Sequence, residues 1–233
     1  MHVNPVPATC VGAILTAVRS FDQAGVVGVL DQADAIHGLD TTIDEVVFPS
    51  LRVVGAFWSS GTVDVAHEHL LSRAVARWVA ARAAALPRST RQGTLLLAAG
   101  PADMHTLALD CLDLLLAARG VEVCNLGAQT PASSLLVVAR SVRPSAVVLS
   151  SHTPTVASHE VRSVKAVAEA GLPVYFAGAS FASPFLRQNL PGVALDGTLR
   201  ESVELLLLRH TSPSAEPTSV RHERLPGRAA ASA

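Results

Sequence analysis

The chain has 233 residues, with 18 basic and 19 acidic side chains and a formal net charge of −1. That is room for one large or two modest domains, and so balanced a charge gives no footing for a nucleic-acid backbone as partner. With 49% hydrophobic and 16% charged residues it can bury a real core, while three widely spaced cysteines, Cys10, Cys111 and Cys124, argue against a disulfide frame or a cysteine metal site.

The first residues, MHVNPVPATC, have neither a basic nor an apolar leader region, and no apolar run reaches the ~20 residues of a membrane span. The expectation is a cytoplasmic protein with reduced thiols. From about residue 8, TCVGAILTAVRSFDQA carries apolar residues at helical spacing, and GVVGVLDQADAIHG follows and stops at Gly38. DTTIDEVVFPSLRVVGAFW opens with Asp40 as N-cap and holds Pro49, which predicts a kink or a break. After the turn SSGT, a last helix starts near Asp64 and runs to Pro87. Four helices on short connections predict an antiparallel bundle over residues 1–88. Residues 87–93, PRSTRQG, read as a linker.

From Thr94 the period changes. Short apolar runs (TLLLAA, VEVCNLG, SAVVLSS, LPVYFAG and the weaker GVALDG) alternate with helical segments. That alternation predicts a parallel sheet covered on both faces, doubly wound and flavodoxin-like, with about five strands over residues 89–210. Residues 211–233 are rich in Pro, Ser and Ala without apolar period and are expected to be a disordered tail. The fold class is α plus α/β.

Open parallel sheets bind ligands at the carboxyl ends of their strands. The loop after the first strand, GPADMHTLA, places His105 at that edge with Asp103 two residues earlier, and a carboxylate orienting a ligating imidazole is a recurrent metal-site arrangement. On its own D-x-H is a weak signal. Three further loops reach the same edge: NLGAQTP with Gly127, LSSHTPT with Ser150, Ser151 and Thr153, and FAGAS with Gly178 and Ala179. His152 and His159, near the loop after the third strand, read as exposed, with an approach of His152 to a bound ligand as its other reading.

Together, DMHTLA, RGVEVCNLGAQTP, VVLSS and AGAS resemble the cobalamin-binding fold of methionine synthase, corrinoid methyltransferase proteins and cobalamin-dependent regulators. The resemblance implies that His105 ligates cobalt from below, with Asp103 as its acidic partner. It implies that Met104, Thr106, Leu107 and Ala108 line the same loop, that Ser150 contacts the nucleotide tail, and that Gly178 and Ala179 stand where the family has a glycine pair. Ala108 replaces the family's first glycine and Ala179 the second glycine of the pair; both are small.

Upstream, FWSSGTVDVAHEHL sets Trp58 before Glu68 and His69 in the pattern W-x9-EH. A tryptophan offers a flat apolar lid and a glutamate an acceptor. The pattern resembles the light-sensing regulators of the CarH/LitR type, in which the helical bundle caps the upper face of adenosylcobalamin. Trp78, among apolar neighbours, reads as core, and His67 and His69 point to different helix faces.

The resemblance implies a non-enzymatic, stand-alone photosensor. It would bind adenosylcobalamin in the base-off, histidine-on form (methylcobalamin and hydroxocobalamin being the other forms). Its signal would pass to a separate protein, such as a transcriptional regulator, or to another copy of itself. The chain shows no MerR-type helix-turn-helix, so direct DNA binding is not expected. Ser59 follows Trp58 where some relatives have a histidine. The alternatives are a corrinoid carrier of a methyltransferase system and a cobalamin store without signalling.

Overall fold

A computed structural model describes residues 5–87, 91–153, 157–210 and 212–213. Its first half is helical: α1 (Pro5–Arg19), α2 (Gln23–His37), α3 (Leu39–Thr41), a π-helical turn (Thr42–Val47), α4 (Phe48–Ser59) and α5 (Val65–Ala84). Because α3, the π turn and α4 are continuous, these elements make the expected four-helix bundle. Asp64 caps α5, its carboxylate accepting from Ala66 N–H at 2.8 Å. Asp40 is not a cap. Gly38 ends α2 and α3 starts at once, so Asp40 falls inside the first turn and instead takes a 2.7 Å hydrogen bond from Arg119.

Pro49 produces neither a break nor a free end. It lies in the first turn of α4, where its missing N–H removes a rung of the helical ladder, and the six residues before Phe48 adopt π winding. Trp78 is core, 2% exposed, with its Nε1–H on Asp31 at 2.9 Å. All three cysteines are free.

The second half alternates β1 (Thr94–Ala99), α6 (Leu107–Ala117), β2 (Glu122–Asn125), α7 (Ala132–Val142), β3 (Ala146–Ser150), α8 (Ala157–Glu169), β4 (Val174–Ala177), α9 (Pro184–Asn189), β5 (Val193–Ala194) and α10 (Leu199–His210). The five strands are all parallel in the order β2-β1-β3-β4-β5. The apolar pattern signals neither α9 nor a 3-10 turn at Ala179–Phe181. Of the linker, Arg91–Gln92 pair antiparallel with Ser212–Pro213; the rest of the expected tail lies outside the described residues.

Side-chain direction alternates along each strand. Leu95, Leu97, Val148 and Tyr175 face α6, α10 and the bundle, whereas Leu96, Ala98, Val147 and Phe176 face α7 and α8. The first of these cores is continuous from Ile14 and Leu30 in the bundle through Trp78 to Leu112 and Leu115 on α6. Polar clasps close the joint: Arg119 on Asp40, and the Asp44 carboxylate taking the N–H groups of Leu199 (3.0 Å) and Arg200 (3.2 Å) at the start of α10. Among the described residues no helix is long and apolar enough to cross a membrane.

Candidate functional site

The chain leaves β1 for β2 on one side and later crosses to β3 on the other, so the switch point lies between β1 and β3. Ala99 pairs with Ser150 and Ser150 with Ala177, which brings the carboxyl ends of β1, β3 and β4 into one row. The loops from Gly100, Ser151 and Gly178 therefore leave the sheet side by side, at the edge where such sheets take ligands.

Asp103 is fully buried beneath this edge. Its Oδ1 accepts the backbone N–H of His105 at 2.8 Å and lies 2.7 Å from His105 Nδ1. Its Oδ2 accepts the backbone N–H of His152, and the His152 Nδ1 lies 3.6 Å away. Burial by itself disfavours the charged carboxylate, but the N–H groups of His105 and His152 and the His105 ring outweigh it and hold Asp103 below the usual carboxylate range. An ionised carboxylate only accepts, so it fixes the proton of neutral His105 on Nδ1 and leaves Nε2 as an open lone pair. The His105 side chain is 68% exposed. It is thus a pre-oriented single-nitrogen donor.

Loop 125–130 is laced to the same base. Asn125 Oδ1 takes Gly127 N–H at 3.0 Å, Gln129 N–H donates to Asp103 O at 3.0 Å, and Thr106 Oγ1 donates to Asp110 at 3.2 Å. Met104 projects outward, 66% exposed, beside His105; Thr106 and Leu107 start α6 and Ala108 faces the cavity below. Thr153 is half-buried at the end of the described part of its loop, and Ala179 is exposed. Gly178 has φ +105°, and a Cβ there would stand 2.1 Å from the Ser151 carbonyl oxygen, so only glycine allows these two loops to close.

Between this edge and the bundle lies a cavity of about 350 Å³. Ala108, Ser150, His152 and Gly178 line it from the sheet, and Asp44, Phe48 and Arg52 from the bundle. A volume of ~300–1,000 Å³ is usual for small-molecule sites. The hydroxyl of Ser150 is buried without a hydrogen-bond partner, an uncompensated cost that a polar ligand atom would remove.

The bundle residues are placed less tightly. Trp58 is 50% exposed at the α4–α5 turn, in a hollow it shares with His67, Arg19 and Asp64. Glu68 accepts the Ser72 hydroxyl at 2.5 Å and lies 2.7 Å from His69 Nδ1. His69 lines a neighbouring groove with Phe21 and Arg73, so of the three upper residues only Glu68 and His69 touch each other; the neighbour Trp58 shares a hollow with is His67, whose ring packs on Phe21.

Two roles are not visible in the sequence. His152 is exposed as expected, and its backbone N–H also holds Asp103 while its ring lies 5.8 Å from that of His105. Glu160 gave no signal, since an acid in a first helical turn is ordinary dipole chemistry; it is 1% exposed, directly under the site.

Residues 12–82 match the family model described as a B12 binding domain, a stretch that covers the bundle. The chain is 36% identical over 176 residues to the HTH-type transcriptional repressor CarH of Myxococcus xanthus, covering 72% of this chain and 57% of that protein. It is 32% identical over 135 residues to the HTH-type transcriptional repressor CarA of the same organism, covering 58% and 45%. The chain therefore spans about half the length of these curated relatives. The monomethylamine corrinoid protein of Methanosarcina barkeri has the same fold, with a TM-score of 0.69 over 84% of this chain and 95% of that one at 15% identity. Residues 12–82 thus match a B12 binding domain, and the chain is similar to part of CarH and CarA.

Proposed function

We propose that this chain is a cobalamin-binding, light-responsive sensor module that takes adenosylcobalamin with His105 as the lower cobalt ligand. The observation that carries the reading is the Asp103–His105 pair at the switch point, one ring nitrogen fixed and the other open above the sheet edge. The donor set fits: imidazole is a common ligand for first-row metals, and His105 would hold the cobalt through its open Nε2. The cavity beside it would take the displaced nucleotide tail, with the unpartnered Ser150 hydroxyl bonding to it and Gly178 in its wall.

When bound, adenosylcobalamin supplies an alkyl–cobalt bond that light breaks; that chemistry belongs to the cofactor. The chain's own residues bind, orient and report. Asp103 keeps His105 in one tautomer and one direction. Trp58, Glu68 and His69 would surround the upper group, the indole as an apolar cover and the glutamate as acceptor. Half exposure of Trp58 leaves it apolar surface to lose on ligand binding, and a state that no longer fills this space would bind the bundle differently. The signal would pass to a separate regulator or to a second copy. The module would carry no catalytic residue.

The assignment of His105 is tested by the absorption spectrum of the protein loaded with adenosylcobalamin. The native chain should show the base-off, histidine-on form and His105→Ala should lose it. An unchanged spectrum in His105→Ala would sink the assignment.

A further inference from the structure

Glu160 stands in the first turn of α8, 1% exposed, and its carboxyl occupies the space above Gly100. A Cβ on Gly100 would lie 1.6 Å from Glu160 Oε2, so the residue that follows β1 has no side chain because a carboxylate from α8 fills the place. Glu160 takes hydrogen bonds from the backbone N–H of Ala102 and the hydroxyl of Ser151, and its Oε1 is buried without a partner. Ser151 Oγ lies 2.7 Å from Ser180 Oγ, and Ser180 N–H donates to the Ser151 carbonyl at 3.1 Å. One buried carboxyl thus connects the loops that follow β1, β3 and β4. Burial, with the Asp103 charge beside it, pushes Glu160 up to about 7. A buried, partly satisfied acid is costly for a fold, and a tie between α8 and the Asp103 loop is what this one supplies.

We propose that Glu160 is a positioning residue for His105: it fixes the loop 100–103 from beneath, and so sets where the Asp103 carboxylate holds the imidazole. The inference rests on the reading of His105 as lower ligand. Glu160 acts through Ala102 and Asp103 and has no contact with the cofactor. Residues that orient a metal ligand in this way usually change affinity by ~10–100-fold when removed.

The test is electron paramagnetic resonance of the full chain, labelled with ¹⁵N-histidine and loaded with cob(II)alamin. A spin-half ¹⁵N ligand splits each cobalt line in two, whereas the cofactor's own ¹⁴N base splits it in three. Native protein should show the twofold pattern. Glu160→Ala should lose it or show a mixture, with ~10–100-fold weaker cobalamin binding. Glu160→Gln, which keeps the shape and an acceptor oxygen, should restore it. Gly100→Ala, which drives the Glu160 carboxyl out without altering α8, should reproduce the loss and serves if Glu160→Ala does not fold. A twofold pattern and native affinity in Glu160→Ala or Gly100→Ala would overturn the inference while leaving His105 as ligand. Absence of the twofold pattern in native protein would overturn the lower-ligand reading itself, and this inference with it.

Discussion

At the scale of single residues one buried carboxylate organises the site. Asp103 serves three donors with two oxygens: the backbone N–H groups of His105 and His152 and the ring of His105. Asp103→Asn keeps the volume but turns one of those oxygens into a donor facing a donor. It should weaken cobalamin binding by ~10–100-fold, measured by titration of the absorption change; native affinity would show that the carboxylate is dispensable. Glu160 gives a prediction in pH. Its folded value of about 7 stands above the ordinary 4.5, so between those limits the folded chain holds a proton that the unfolded chain has released. Stability should therefore be fully present at the acid end of this window and fall as pH rises to neutrality, by roughly 3 kcal/mol at most. Urea unfolding across the window should show that slope for native protein and a flatter one for Glu160→Gln; equal slopes would contradict the assignment. The sequence made His105 and Asp103 legible because two residues in one loop can only be neighbours. It did not make His152 and Glu160 legible, because one works through a backbone N–H and the other reaches its partners from a different βα unit.

At the scale of elements, apolar period and turn residues located the helices of the bundle and the five strands, and missed what depends on contacts between units. Asp40 reads as a cap in sequence and is a partner of Arg119 in space. Pro49 announces an irregular helix, but only packing decides that the irregularity is a π turn burying Thr42, Ile43, Val46 and Val47 on one side. That turn presents Asp44 to the start of α10, where its charge meets two free N–H groups and the positive end of the helix. Asp44→Ala should cost about 1 kcal/mol, as loss of a cap does, and loosen the bundle from the α/β layer. Both tryptophans, Trp58 and Trp78, lie in the bundle, so tryptophan fluorescence follows that half alone while far-ultraviolet circular dichroism follows both. The two transitions should coincide in native protein and separate in Asp44→Ala; coincident transitions at native stability would remove Asp44 from the joint. Trp58 is half exposed, and Trp58→Ala should leave stability within about 0.5 kcal/mol, as surface changes do. Its effect should fall on retention of the adenosyl form.

At the scale of the whole molecule, bundle and α/β layer share one apolar core from Ile14 to Leu206. A wholesale parting of the two would expose that core, so a light-driven change should be confined to the open end of the bundle, around Trp58 and the α4–α5 turn, and be read through association with another chain. On the proposed reading a cofactor would sit at the cavity of the switch point, and the upper group and the partner would be chosen by residues at the rim, where local pattern says little about which side chains meet. The central claim is that one chain holds adenosylcobalamin on His105 and changes state when the alkyl–cobalt bond breaks. The most direct test is the absorption spectrum of the adenosylcobalamin-loaded protein in the dark and after illumination, with size-exclusion chromatography in both states. A histidine-on spectrum in the dark and a light-driven change in both spectrum and hydrodynamic size are predicted. Tight binding with the same size before and after light would contradict the sensor and favour a carrier or a store.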